Sequence, residues 1–476
     1  MAIPDPTPGA RAALRADLTA RVTDLLSSNR VVAAGGRYTR PARRTYPHQW
    51  LWDSCFHAIV YHQLGDRALA HDELRALFRA QVSSGPDRGR LPHMTFFGGG
   101  PGEADQDPEG ARAYAREVSL WGDPRASTIT QPPIVAEAVL RVGDAALWRE
   151  LWRPLAAYYD WWLRRRDPRG EHLYVSFHMW EIGADATPRG DAACQRLLAT
   201  GRSPRQPDDA SHNPTARKRA DMLTARYLMH DDLRGIDGDE LAERIDEAEA
   251  QRRRLRLLGH VGVDMQAYLV RNLSDLATIG EAIGEAAAAA RYRAEAAAIA
   301  AAVNRDLWDE EAGFYFDRWD EPSQVIRVRT PAPFVALYAG DLVPPGRAAR
   351  LLDALADPDR FWTRWPIPTV ARDEPSYDPD DYWRGSTWLN VNWFTLRGLI
   401  ELHRRAEVPR ALELARELAR RTCELVDLAG FREYYRAGGR AAADDATTAP
   451  AGFGPDGFGW SGIVLDVFRM LDEELA

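Results

Sequence analysis

Apolar residues recur with a period near 3.6 from one end of this chain to the other, and that repetition limits the possible folds more than any other feature. Within 11–26, Ala13, Leu14, Leu18, Val22 and Leu25 trace one helical face. The same period returns in 68–79, 133–142, 147–164, 238–258, 263–279, 281–307, 347–355, 387–404, 409–425 and 459–475. Alternating stretches are short and few, such as 314–316 and 325–328, which excludes a large sheet. About a dozen helices over this length leave roughly 35–40 residues for each helix with its loop, the spacing of a ring of helical hairpins. The expectation is an all-α chain, a single toroid of paired helices over 1–476 whose concave end is the cleft. Two helix-poor insertions, 86–123 and 200–227, interrupt the pattern without resembling interdomain linkers, and long loops of this kind are usually functional.

Composition narrows the function. With 45% hydrophobic and 28% charged residues and a mean hydropathy of −0.42, the chain has ample material for a core, and disordered or fibrous classes are out. No stretch approaches the ~20 apolar residues of a bilayer span, and residues 1–17 lack the apolar centre of a secretory signal, so a cytoplasmic protein is expected. Cys55, Cys194 and Cys423 are scattered and form no CxxC, which reads as buried thiols. The net charge is −9 and Lys218 is the only lysine. An acidic balance with no dense basic block argues against nucleic acid or an anionic membrane as partner. The unusual number is 16 tryptophans, because aromatic faces lining a cleft are a common way to hold sugar rings.

Four clusters join such rings to acids. The first is Tyr46-Pro47-His48-Gln49-Trp50-Leu51-Trp52-Asp53-Ser54-Cys55-Phe56-His57, placed just before a helical pattern. It reads either as a sugar platform with Asp53 as hydrogen-bonding acid or as a core cap with Asp53 as helix N-cap. The second runs from Phe177 through Trp180, Glu181, Gly183 and Asp185 to Arg189 and Asp191, a Gly-bearing loop able to present a carboxyl group to a pocket. The third is Tyr382-Trp383-Arg384-Gly385-Ser386-Thr387-Trp388-Leu389-Asn390-Val391-Asn392-Trp393. There the i, i+4 spacing of Trp388 and Asn392 suits one shared cavity, or else a buried stripe. The fourth is Gly430-Phe431-Arg432-Glu433-Tyr434-Tyr435, followed by the Gly- and Phe-rich run that ends in Trp460-Ser461.

The order WLWDS, WEIGADATPR, YWRGSTWLNVNW, FREYY, FGWS resembles glycoside hydrolase family 63, within it the bacterial mannosylglycerate and glucosylglycerate hydrolases, and more distantly trehalases. The resemblance spans Tyr46 to Trp460. It implies an (α/α)6 barrel and inverting hydrolysis of an α-glycosidic bond in a small glucoside or mannoside, without cofactor. Asp185 of the E-x-G-x-D loop matches the general acid, and Glu433 of the late E-x-Y motif the general base. Tyr46, Trp50, Trp52 and Asp53 match the sugar subsite. Gln131, Trp180, Arg189, Trp383, Arg384, Trp388 and Tyr434 fall at further pocket positions.

An inverting glycosidase needs one protonated and one ionised carboxyl group on opposite faces of the sugar, roughly 6.5–9.5 Å apart. Burial against Trp180 is expected to favour the protonated form of Asp185, and hydrogen bonds with solvent the charged form of Glu433. No metal is needed, and His48, His57, His93 and His178 show no HExxH-type spacing. A glycerate aglycone carries a carboxylate, which calls for a cation and hydroxyl donors. Where relatives carry an Arg-Pro-Thr-type motif, this chain has Asn213-Pro214-Thr215 with Arg217, Lys218 and Arg219 close by, and Tyr227 downstream. Arg217, Arg219 and Tyr227 are the candidate aglycone contacts. Two alternatives stay open. One is an α-glucosidase for a neutral disaccharide of trehalose or kojibiose type. The other, from a different class, is a sugar epimerase of the same barrel, which would work with paired histidines.

Overall fold

The computed structural model describes residues 8–33, 36–96, 121, 123–192, 259–320 and 323–475. The insertion at 200–227 and the helix expected at 238–258 lie outside the described residues, and so does most of the insertion at 86–123.

Among the described residues, helices of two kinds alternate. One kind shows a single apolar face: α1 (Pro8–Asn29), α3 (Arg67–Leu77), α5 (Ala145–Arg165), α7 (Ala286–Asp306), α9 (Pro345–Leu355) and α11 (Pro409–Ala429). The other kind is buried over most of its surface: α2 (Leu51–Gln63), α4 (Val135–Val142), α6 (Val263–Ile283), α8 (Ala332–Ala336), α10 (Leu389–Ala406) and α12 (Val464–Glu473). A helix with apolar residues on one side faces water, whereas one apolar all round must be enclosed. The second set therefore forms the inner ring and the first set the outer ring of an (α/α)6 barrel. Contacts run α2 to α4, α4 to α6, α6 to α8 and α8 to α10, and α12 meets α2.

This division explains where the helical period misled. The first aromatic cluster does not precede a helix; from Leu51 onward it is inner helix α2, with Leu51 to Tyr61 all buried. Asp53 is not the N-cap, a place held by Trp50, but lies in the first turn. The short helix α8 carries no period long enough to read. Near 280 the chain breaks four residues later than expected, at Gly284, whose φ of +94° ends α6 in the left-handed region that glycine adopts without strain.

Buried charge locks the inner ring. Asp466 on α12 accepts from Arg141 on α4, with both N–O distances 2.9 Å, and from Trp393 Nε1 on α10 at 2.8 Å. Burial alone would push this carboxyl group up, but Arg141 and Arg469 hold it at about 2. Each inner helix follows an outer one, so antiparallel pairing puts all inner N-termini at one end of the barrel. The loops entering them carry all four aromatic and acidic clusters. Small antiparallel pairs brace this end: β1 (Gln49–Trp50) with β2 (Met94–Thr95), β3 (His260–Val261) with β4 (Asp317–Trp319), and β6 (Arg432–Tyr435) with β7 (Gly452–Asp456). A further strand, β5 (Gln324–Ile326), pairs with β4.

Candidate active site

Glu433 lies in β6, where the pairing with β7 shifts register between Arg432 and Tyr434. Alternation along the strand turns its side chain inward, to 4% exposure. Its Oε1 accepts from the hydroxyl of Tyr46 at 2.9 Å and of Tyr382 at 2.8 Å. Its backbone carbonyl accepts from Trp460 Nε1 at 3.2 Å. Burial, reinforced by the Glu433 carboxylate, pushes both phenols well above their usual range, so both remain donors. The approach of β7 depends on Gly454, at φ +73°. A Cβ there would sit 2.6 Å from Glu433 Oε2 and 2.7 Å from its Cβ. Gly454→Ala is expected to cut kcat by about 100-fold, the scale of an ångström of misplacement at a reacting group. Circular dichroism on the same sample should show an intact fold.

Asp185 stands in the loop between α5 and α6. The loop is anchored just upstream, where buried Glu181 takes Arg166 Nη1 at 2.8 Å and Nη2 at 2.5 Å, together with the backbone N–H of Phe177 at 2.8 Å. Gly183 then turns at φ +69° against the ring of Trp52, which a Cβ would approach to 2.4 Å. Ala186 follows at φ +56°, a conformation that a non-glycine residue holds only when its surroundings impose it. The charge of Asp185 acts on both Tyr46 and Tyr382, the phenols that bind Glu433. Two carboxylates from distant parts of the chain thus lie near one pair of tyrosines, Glu433 in hydrogen-bond contact and Asp185 close enough for its charge to act on them.

The other expected residues divide into three groups. Tyr46, Trp50 and Trp180 form a chain of ring contacts. Tyr46 meets Trp50 edge-on at 5.4 Å, Trp50 meets His93 at 4.4 Å, and His93 stacks on Trp180 at 6.3 Å. His178 packs on Trp180 as well, at 4.8 Å. Burial, then the His178 charge, lowers His93 well below the usual histidine range. Trp52 and Trp383 line a small cleft that Arg189, Asp264 and Asn390 also reach. Gln131 Oε1 accepts the backbone N–H of Trp52 at 3.1 Å and so caps the start of α2. Among the described residues, Trp50 Nε1 and Asp53 Oδ1 are buried without a hydrogen-bond partner.

A second group is engaged with protein. Arg189 binds Asp264 at 2.9 Å and Asp317 at 3.0 Å, and Arg384 binds the Ala186 carbonyl and Asp191. Trp388 is buried, stacked on Trp383 at 3.9 Å and on Tyr434 at 5.1 Å. Of the two readings open for Trp388 and Asn392, a shared cavity or a buried stripe, the second holds: Asn392 is buried, accepts Ile367 N–H and donates to the Pro366 carbonyl. In the third group, Arg217, Arg219 and Tyr227 lie outside the described residues. Tyr382 belongs to the third motif, yet nothing in the sequence sets it apart from its neighbours. What marks it is the hydrogen bond to Glu433, which sequence spacing does not show.

Asp53 makes a pH prediction. Burial, with Glu433 and Glu73 adding to it, raises its carboxyl group well above the usual range. A raised folded-state value means that its contribution to stability is full below pH ~3.8 and is lost as pH rises through the folded value. Asp53→Asn should therefore gain stability relative to wild type as pH rises from about 4, measured as denaturant midpoints across the range. A gap that stays constant with pH would contradict it.

Among the described residues, no helix is long and apolar enough to cross a membrane, and no group of three or more His, Cys, Asp or Glu side chains is arranged to hold a metal. Residues 46–461 match the family model described as the mannosylglycerate hydrolase MGH1-like glycoside hydrolase domain. The chain is 32% identical to a mannosylglycerate hydrolase of Thermus thermophilus over 90% of its own length and 95% of the relative's. It is 27% identical to a glucosylglycerate hydrolase of Mycolicibacterium hassiacum over 88% and 92% of the two chains. A crystal structure of the family 63 mannosylglycerate hydrolase of Thermus thermophilus, in complex with Tris and D-glycerate, superimposes with a TM-score of 0.75 at 29% identity. That match covers 95% of this chain and 100% of the other.

Proposed function

Since this chain belongs to the mannosylglycerate hydrolase MGH1-like glycoside hydrolase family, we propose that it is an inverting glycosidase of mannosylglycerate or glucosylglycerate, with Asp185 as general acid and Glu433 as general base. The observation that carries the reading is Glu433, held by the hydroxyls of Tyr46 and Tyr382, with Asp185 near enough to both phenols to act on them.

Two O–H donors on a single carboxylate oxygen favour its charged form, as a base requires. Glu433 takes a proton from water as that oxygen attacks the anomeric carbon. Asp185 gives its proton to the departing glycosidic oxygen on the opposite face, and the sugar leaves with inverted configuration. The unpartnered Trp50 Nε1 and Asp53 Oδ1 support a sugar in the pocket. Each such buried group costs about 1–3 kcal/mol until something bonds to it, and a ring hydroxyl supplies both a donor and an acceptor.

For the aglycone we assign Arg217 or Arg219, with Tyr227, to the glycerate carboxylate. A charge-assisted hydrogen bond of this kind is worth about 1.5–3 kcal/mol, or ten- to a hundredfold in affinity. The reading includes a cytoplasmic location, which the unpaired buried thiols of Cys55 and Cys423 support. The test is release of sugar from mannosylglycerate, glucosylglycerate, their glycerate amides, trehalose and kojibiose, with the anomer followed by NMR. Turnover of the acids well above their amides, with inversion, is expected. Equal turnover of acid and amide would assign a neutral α-linked disaccharide, and retention would remove Glu433 as base.

A further inference from the structure

The short turn Tyr382–Arg384 touches both sides of the reaction. Tyr382 donates to Glu433 at 2.8 Å. Two residues on, Arg384 crosses to the loop of the other carboxylate. Its Nη1 donates to the Ala186 carbonyl at 3.1 Å and to Asp191 Oδ1 at 3.0 Å, and its Nη2 to Asp191 Oδ2 at 2.8 Å. Only 5% of Arg384 is exposed. The turn itself is fixed: Trp388 Nε1 donates to the Tyr382 carbonyl at 3.1 Å, and Gly385 N–H to Thr369 Oγ1 at 3.1 Å. Ala186, whose carbonyl Arg384 holds, has the left-handed φ of +56° and directly follows Asp185.

We propose that Arg384 is a positioning residue for the general acid, not a substrate contact. Its fork on Ala186 and Asp191 keeps Asp185 at the glycosidic oxygen. A planar, bidentate fork suits this role, and a lysine cannot reproduce it. The inference rests on the reading of Asp185 as acid.

The test uses two substrates of the same sugar. The glycerate glycoside needs its leaving oxygen protonated, whereas in the α-glycosyl fluoride the C–F bond breaks with fluoride departing as an anion, and water still needs Glu433. Arg384→Lys and Asp191→Asn should lower kcat on the glycerate glycoside by about 100-fold, with KM little changed and a far smaller loss on the fluoride. A rise in KM with kcat preserved would make Arg384 a substrate contact, and equal losses on both substrates would make it a structural residue; either overturns the proposal. So would unchanged kinetics. Asp185→Asn is the reference. If it shows the split between substrates and Arg384→Lys does not, the positioning role fails alone. If Asp185→Asn shows no split, the assignment of the acid fails first.

Discussion

Glu433→Gln and Asp185→Asn are each expected to lower kcat on the natural glycoside by about 10²–10⁴-fold, the usual contribution of a positioned general acid or base. In Glu433→Gln the new amide oxygen would still accept from Tyr46 and Tyr382, so the cage around the site survives while the group that removes the water proton is lost. The thermal midpoint of both variants should stay within a few degrees of wild type. Activity within about tenfold of wild type in either variant would show that the proton transfers run through other groups. The Tyr46→Phe, Tyr382→Phe double variant is a useful companion. With both hydroxyls gone, the charged form of Glu433 loses two donors, and the acidic limb of the kcat/KM profile should move to higher pH.

Arg166→Ala is expected to cost about 3–5 kcal/mol of stability, the penalty for leaving a buried charge without its partner. Arg166 is wedged between rings, 4.5 Å from the Phe177 centroid and 4.9 Å from that of Trp161. It donates twice to Glu181, which is fully buried. Removing it strands the Glu181 carboxylate and opens a space between the rings. The double variant Arg166→Met, Glu181→Gln should recover much of the loss in urea midpoint, because it removes both charges at similar volume while the amide oxygen still accepts a backbone N–H of the loop. If the double variant is as unstable as Arg166→Ala, the cost lies in packing on the rings and not in the stranded carboxylate.

Legibility in the sequence followed the kind of force at work. Outer helices such as 409–425 showed themselves through one apolar face, since water on the other side demands polar residues there. Inner helix α2 hid inside an aromatic motif, because Leu51 to Tyr61 are all buried and leave no polar stripe to mark a face, whereas the inner helices α4, α6, α10 and α12 still showed the period. The chemistry of the acids was legible as residue type and motif, and Glu181 and Asp185 were both in view. The residues alone did not separate the two; the E-x-G-x-D resemblance implied Asp185 as the acid, and the structure adds that Arg166 engages Glu181. Arg189 and Arg384 read as pocket cations, yet the structure engages each with carboxylates or carbonyls that lie far along the chain. The sequence by itself determined the all-helical ring and which loops carry rings and acids, since periodicity and side-chain chemistry are local properties. Only the tertiary structure decided which groups meet across 387 residues, as Tyr46 and Glu433 do, because inner-helix packing sets the relative position of loops that no local rule connects.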